Sequence, residues 1–118
     1  MRNHTKLRAF QLADQVALVV YQETRYFPKE EMFGLTSQLR RASVSIASNI
    51  VEGSASFSAP DYIHFLDTAN GSAREVEYQV GLALRLGFLP EPAHRELSAL
   101  TVETSKVLNG LLRSLRKQ

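Results

Sequence analysis

Apolar residues recur every three or four positions along most of the chain, which is the period of amphipathic helices. Breaks rich in proline and glycine separate four such segments. The pattern predicts helices over about residues 6–25, 36–52, 59–86 and 92–116. No stretch of the sequence alternates with the two-residue period of a strand. The sequence therefore predicts an all-α protein.

Several residues with strong local preferences mark the predicted helix ends. Thr36 is suited to cap the start of the second helix, and Gly53 is typical of the position just after a helix ends. Ser58 is suited to cap the third helix. Asn70-Gly71 inside that helix favours a turn, but the apolar spacing continues through it without a change of phase. We therefore expect the third helix to be continuous.

Each predicted helix has an apolar stripe that can face a common core. The stripes are Phe10, Ala13, Ala17 and Val20; Leu39, Ser43, Ile46 and Ile50; Tyr62, Leu66, Ala69, Ala73, Val76, Val80 and Ala83; and Leu97, Leu100, Thr104, Val107, Leu108, Leu111 and Leu115. Short connections between long helices favour antiparallel neighbours. We predict an antiparallel up-down-up-down four-helix bundle, formed as a single domain by residues 1–118.

The second helix carries a further apolar stripe, displaced by about 100° around the helix axis from the first. Val44, Ala47 and Val51 form this stripe together with the stem of Arg40. A four-helix bundle has no central helix that could bury two faces, so the second stripe indicates a subunit interface. We predict a homo-oligomer with Val44, Ala47 and Val51 at its interface.

The net charge is only +2, from 14 Lys and Arg against 12 Asp and Glu, but basic residues concentrate near both termini. The predicted topology brings both termini to one end of the bundle. We predict that this end and an arginine pair on the second helix bind nucleic acid through its phosphates. The candidate residues are Arg2, Lys6, Arg8, Arg113, Arg116, Lys117, Arg40 and Arg41.

Each of these basic groups also has a structural interpretation. Arg40 and Arg41 can pair with carboxylates such as Glu52 or Glu77, within one subunit or across an interface. The terminal cations can be solvated helix ends, where positive charge complements the helix dipole. No aromatic platform for base stacking accompanies them in the sequence, which predicts weak sequence specificity.

Catalytic and metal-binding patterns are missing from the sequence. A di-iron bundle needs two Glu-x-x-His motifs on facing helices. Here Glu91 and His94 form the only such motif, and the nearest second candidate, Asp61 with His64, falls at the opposite end of the predicted bundle. There is no cysteine, no glycine-rich phosphate loop and no histidine spaced to act as a base. We predict no enzymatic activity, no catalytic residues, no metal, no cofactor and no small-molecule substrate.

The longest apolar run, Val16–Tyr21, is far shorter than the roughly 20 residues that span a bilayer. The first residues lack the apolar core of a signal peptide. Together with the absence of cysteine, these features lead us to expect a cytoplasmic protein without a membrane partner.

Two long segments of the sequence resemble a known family. Phe33 to Gly53 reads FGLTSQLRRASVSIASNIVEG, and Phe65 to Gln79 reads FLDTANGSAREVEYQ. These segments are similar to the FGL…QLRRA…SI.SNI.EG and FL..A.GS..E.E.Q patterns of the 23S rRNA intervening-sequence four-helix bundle proteins. The similarity extends over nearly the whole chain. Ala47 stands where the family often has Pro and Val51 where it often has Ala, and both departures are conservative.

The resemblance implies a four-helix bundle that assembles into rings, specifically pentamers. The family is also similar to a group of accessory proteins of diversity-generating retroelements, which bind a reverse transcriptase and nucleic acid. With the basic end, this suggests a non-enzymatic ring-forming adaptor for RNA, DNA or a reverse transcriptase. The alternative is a structural or protein-binding homo-oligomer whose positive charge only aids solubility, and the salt dependence of nucleic-acid binding separates the two.

Overall fold

The structure is a computed structural model that describes residues 2–118. This part of the chain contains four long helices and no strand. The helices are α1 (Arg8–Thr24), α2 (Leu35–Ala55), α3 (Ala59–Arg85) and α4 (Glu91–Arg116), and short 3₁₀ turns form at His4–Lys6 and Lys29–Glu31. The prediction of an all-α fold is confirmed.

The four helices form a square in which each packs against two others. Within residues 2–118, α1 contacts α2 and α4, α3 contacts the same two helices, and no contact joins the diagonal pairs. Side-chain hydrogen bonds cross all four interfaces, at Thr24–Arg40, Ser45–Ser72, Asn70–Asn109 and Arg8–Glu103, and Asp67–Arg116 is a second pair between α3 and α4. On α3 and α4 the pairs Asn70–Asn109 and Asp67–Arg116 run in opposite directions, and short connections join each helix to the next, so neighbouring helices are antiparallel. The predicted up-down-up-down bundle is therefore confirmed.

The core contains the whole predicted stripes of α2 and α3, but those of α1 and α4 need correction. On α1, Phe10 and Ala17 are only half-buried, whereas Ala9, Leu12 and Val16 are in the core. Because α1 packs against both α2 and α4, the buried side of the helix lies next to the predicted stripe and not on it.

On α4, four leucine and valine positions of the predicted stripe are half-buried at the edge of the core. They are Leu100, Val107, Leu111 and Leu115. Thr101 and Leu112 are buried instead. Thr101 can be buried because its hydroxyl donates a hydrogen bond to the Leu97 carbonyl at 2.7 Å, which satisfies the polar group inside the helix.

Both predicted ends of α2 were wrong. Thr36 is buried in the first turn, and the backbone N–H of Leu35 donates instead to Glu31 Oε1 at 2.9 Å. At the other end, α2 continues to Ala55 and buries Gly53 within it. A Cβ atom at Gly53 would lie only 3.0 Å from the Phe65 Cβ, so this glycine permits close packing against α3 rather than ending the helix.

The prediction for α3 is confirmed. Ser58 caps it by accepting a hydrogen bond from the N–H of Asp61 at 3.2 Å. The helix runs without interruption through Asn70 and Gly71, and the buried Asn70 side chain donates to Asn109 Oδ1 of α4 at 3.0 Å. The turn-forming preference of Asn-Gly is therefore overridden by core packing and by this interhelical hydrogen bond.

Candidate interaction surfaces

The second apolar stripe of α2 lies at the surface, beside α1. Val44, Ala47 and Val51 line a groove of about 320 Å³ together with Ala17 of α1. Val44 is 41% exposed, and the acidic side chains of Asp14 and Glu52 also line the groove. We call these six residues the α1–α2 face. The three residues predicted for an interface thus lie together on one apolar surface.

Two residues of α1 that the sequence analysis missed extend this surface towards the other end of the bundle. Leu18 is 58% exposed, and Tyr21 lies one turn further along the helix. Arg40 packs here, with its guanidinium 4.8 Å from the centre of the Tyr21 ring and its Nε donating to Thr24 Oγ1 at 2.9 Å. The only sequence signal for the two residues was apolar character outside the predicted core stripe.

A second groove, which we call the α2–α3 groove, lies on the neighbouring side of the bundle. Its polar part has a volume of about 280 Å³ and is lined mainly by Gln38, Arg41, Ser45, Ser72, Glu75 and Gln79. An adjoining part of about 470 Å³ shares three of those residues and adds Leu35, Arg74, Tyr78 and Leu82. This groove was not predicted from the sequence. It forms only where α2 and α3 lie side by side, and its lining mixes polar and apolar residues.

Gln79 is the unusual residue of the α2–α3 groove. Its side chain is only 8% exposed, yet its Oε1 atom has no hydrogen-bond donor within residues 2–118. Buried carbonyl oxygens in folded proteins are nearly always hydrogen-bonded. This groove therefore contains an unused acceptor.

The N-terminal part of the predicted basic end is bound to the last turn of α2 and to the loop that follows it. The Arg2 N–H donates to the Ser54 carbonyl at 3.1 Å, and its Nη1 donates to the Ser56 carbonyl at 3.1 Å. The Arg2 guanidinium also lies 3.9 Å from the centre of the Tyr62 ring. Burial raises the pKa of the Tyr62 hydroxyl, while the Arg2 charge lowers it in part. Arg2 thus has a clear packing role.

The other terminal cations are more widely spread than predicted. Arg116 pairs with Asp67 at 2.6 Å and Arg8 pairs with Glu103 at 3.4 Å, and these are the two salt bridges found within residues 2–118. At the helical rise of 1.5 Å per residue, Glu103 is about 20 Å along α4 from Arg116. Arg8 therefore lies part of the way along the bundle rather than at its tip.

Three cations near the termini are exposed and have no salt-bridge partner in the described part of the chain, namely Lys6, Arg113 and Lys117. Phe57 is 94% exposed at the same end, next to the Ser56 that Arg2 contacts. No aromatic platform for base stacking was predicted at the basic end, and the structure places one exposed aromatic ring, Phe57, there. Phe57 was the one large apolar residue of its loop, which was the signal available in the sequence.

Neither a metal site nor a membrane span is visible in residues 2–118. No group of three or more His, Asp or Glu side chains there is placed to hold a metal ion. No helix of that region combines the length and apolarity needed to cross a bilayer.

Comparison with known proteins agrees with this architecture. A crystal structure of a protein of unknown function from the S23 ribosomal protein family of Bacteroides thetaiotaomicron superposes with a TM-score of 0.81, at 23% sequence identity over 89% of this chain and 95% of that chain. At this identity the similarity shows the fold alone. No curated protein matches the sequence. The sequence model of the 23S rRNA-intervening sequence proteins matches residues 5–110, so the resemblance is confirmed and the chain belongs to that family.

Proposed function

We propose that this protein is a non-enzymatic helical adaptor that assembles into a ring and presents its basic end to nucleic acid or to an enzyme that acts on nucleic acid. The observation that carries the proposal is the α1–α2 face. Val44 is exposed, Ala47 and Val51 are half-buried, and none of the three belongs to the fully buried core. A continuous apolar surface of this kind is typical of an association site.

A ring would strengthen binding by the basic end. In a cyclic assembly every copy points its basic end in the same direction. The cations of each copy then lie beside those of its neighbours, and a single nucleic-acid strand can contact several copies at once. The proposal places this contact on Lys6, Arg113 and Lys117, which have no salt-bridge partner within residues 2–118, and on Arg116, because a phosphate can replace Asp67 in its exposed ion pair. Arg2 and Arg40 are left out because they have packing partners within the subunit.

Phe57 supports the same proposal. An exposed aromatic ring can stack on an unpaired base, and such stacking tolerates any sequence. Its position next to Ser56, which Arg2 contacts, supports a function in which an aromatic ring and exposed cations act together at one end of the bundle. The favoured ligand is therefore single-stranded RNA or DNA bound with weak sequence preference.

The alternative function is a structural or protein-binding homo-oligomer with no nucleic-acid role. The carboxylates of Asp67 and Glu103 support it, because they neutralise two of the predicted cations within the subunit. In that case the remaining positive charge only aids solubility.

A fluorescence-anisotropy titration with labelled single-stranded RNA and DNA, repeated over a range of salt concentrations, distinguishes the two functions. We expect binding that weakens steeply with salt, because phosphate contacts release counterions. Replacing Arg113, Arg116 and Lys117 together with Glu should abolish binding at moderate salt. Loss of three phosphate contacts should reduce the slope of log affinity against log salt by about 2.

The matched control replaces Lys29, Arg85 and Arg95 with Glu. These exposed cations lie near the other end of the bundle, and the change in net charge is the same. The control should retain most of the affinity. Absence of binding by the unmodified protein at low salt, or an equal loss in both variants, would contradict the nucleic-acid role.

A further inference from the structure

We propose that the α2–α3 groove is a binding site for guanine, presented by a free guanine nucleotide or by a guanosine in a single strand. The groove is separate from the basic end. Gln38 and Arg41 lie in the first half of α2 and Gln79 in the last third of α3, whereas the loop that joins these helices lies at the basic end. The inference therefore goes beyond the proposed function, and each of the two can fail without the other.

The groove has the size of a small-molecule site. Its two parts, of about 280 and 470 Å³, share Gln38, Glu75 and Gln79 and so form one continuous space. Ligand sites commonly occupy about 300–1,000 Å³. Gly71 leaves further room, because a Cβ atom there would meet no neighbouring atom within 4 Å. The space is thus sufficient for a planar base.

The α3 side of the groove presents hydrogen-bond acceptors. Glu75 and Gln79 are one helical turn apart and line the same part of the groove. Glu75 is an exposed carboxylate, and Gln79 is only 8% exposed with no donor to its Oε1 atom within residues 2–118. An unpaired buried acceptor is unfavourable, and rotation about the terminal torsion of Gln79 turns this oxygen towards the groove. This side therefore favours a ligand with several N–H donors.

The α2 side presents a donor opposite those acceptors. Arg41 is exposed and lines the same part of the groove as Glu75. Neither of them takes part in the salt bridges found within residues 2–118. A negatively charged group would be repelled by Glu75 and a positively charged one by Arg41. The matching ligand edge is thus uncharged, with acceptors for Arg41 beside donors for Glu75.

Guanine has this arrangement of groups. Its O6 and N7 atoms accept two hydrogen bonds from an arginine, and its N2 amino group is a donor. The neighbouring N1–H is a second donor, so one carboxylate accepts from both. Adenine and cytosine each have an acceptor at the position that corresponds to N1–H, which would face the carboxylate of Glu75. Uracil offers a single N–H there, so guanine satisfies the groove best.

The adjoining part of the groove suits the rest of a nucleotide. Tyr78 is 63% exposed and lines this part with Leu35 and Leu82. An exposed aromatic ring provides a surface on which a base stacks. Arg74 lines the same part, is exposed and takes part in neither salt bridge of the described residues, so it is available to a phosphate.

Isothermal titration calorimetry with guanosine, inosine and adenosine monophosphates tests the inference. Inosine monophosphate lacks the 2-amino group and should bind about tenfold more weakly than guanosine monophosphate, and adenosine monophosphate more weakly still. Glu75→Gln should weaken guanosine monophosphate binding by about tenfold or more and remove its advantage over inosine monophosphate. The matched control is Glu77→Gln, an exposed carboxylate of α3 that lines neither part of the groove and should leave binding unchanged.

Two oligouridylates that differ only in one central guanosine or adenosine test the single-stranded source. The guanosine strand should bind more tightly, and Gly71→Leu should remove the difference because its side chain fills the open space of the groove. Circular dichroism verifies that the variants keep the helical fold. Binding of the guanosine strand but not of the mononucleotide would assign the site to single strands.

The inference is overturned if guanosine and adenosine bind equally in both forms, or if neither form of guanosine binds. It is also overturned if Glu75→Gln and Glu77→Gln have the same effect. The variant with Arg113, Arg116 and Lys117 replaced by Glu should still bind guanosine monophosphate, since the basic end lies outside the groove. Loss of mononucleotide binding in that variant would contradict a separate site.

Discussion

Gly53 lies inside α2 at a point where the helix packs tightly on α3. A Cβ atom there would lie 3.0 Å from the Phe65 Cβ and 3.1 Å from Tyr62 Cδ1. The Phe65 Cβ is fixed to its backbone and cannot rotate away. Alanine would gain up to about 1 kcal/mol of helix propensity, but overpacking of a core costs about 1–3 kcal/mol.

We therefore expect Gly53→Ala to lower the free energy of unfolding by about 1 kcal/mol. Gly81→Ala is the matched control, because Gly81 also lies within a helix but a methyl group added there would meet no neighbouring atom within 4 Å. The control should raise the free energy of unfolding by about 0.5–1 kcal/mol. Urea denaturation at one fixed protein concentration measures both values, and equal stabilisation by the two changes would contradict the close contact at Gly53.

Single residues were predictable where their own neighbours along the chain decide their environment. Ser58 was predicted as a cap because the hydrogen bond that it accepts comes from the same helical turn. Gly53 was misinterpreted because glycine is favoured both after a helix and at a close contact, and only the position of Phe65 distinguishes these cases. Thr101 was omitted from the core because its hydrogen bond to the Leu97 carbonyl becomes apparent only in the folded helix.

At the scale of the helices, α2 begins with a cap from outside the helix. The Glu31 side chain, in the preceding 3₁₀ turn, accepts the hydrogen bond of the Leu35 N–H at 2.9 Å. A side-chain acceptor at a helix start satisfies a backbone donor that has no partner in the helix. Thr36 was the predicted cap because it is the capping residue nearest the apolar stripe in the sequence, whereas Glu31 reaches the helix only after the chain has turned.

Glu31→Ala should destabilise the protein by about 1 kcal/mol, the usual cost of losing a helix cap. Glu31→Gln retains an oxygen acceptor and should restore most of the loss. Thermal unfolding followed by circular dichroism gives both values. If Thr36 were the true cap, Glu31→Ala would leave the unfolding temperature unchanged.

The lengths and order of the helices were largely predictable, and α3 shows why. Its apolar spacing keeps one phase through Asn70-Gly71, and a loop at that point would have shifted the phase. The exact core arc of α1 was not predictable, because it depends on where α2 and α4 meet α1. When a helix has apolar residues on several sides, its sequence alone does not show which side faces the core.

For the molecule as a whole, surfaces were predictable only where a helix had more apolar area than the core could use. Val44, Ala47 and Val51 were identified in this way. The α2–α3 groove was missed because it arises from two helices side by side, with Gln79 buried between them. Likewise, the sequence indicated the basic end, but not that Arg2 would bind the α2–α3 loop or that Arg8 would lie part of the way along the bundle.

The most direct test of the proposed assembly is the molar mass in solution, measured by size-exclusion chromatography with multi-angle light scattering. The unmodified protein should have about five times the chain mass of 13.2 kDa, the pentamer that the family resemblance implies. Val44→Glu should give the mass of one chain, whereas Leu86→Glu, at an exposed apolar residue outside both surfaces, should leave the assembly intact. An unmodified protein with the mass of one chain, or a Val44→Glu variant with an unchanged oligomer mass, would contradict assembly through the α1–α2 face.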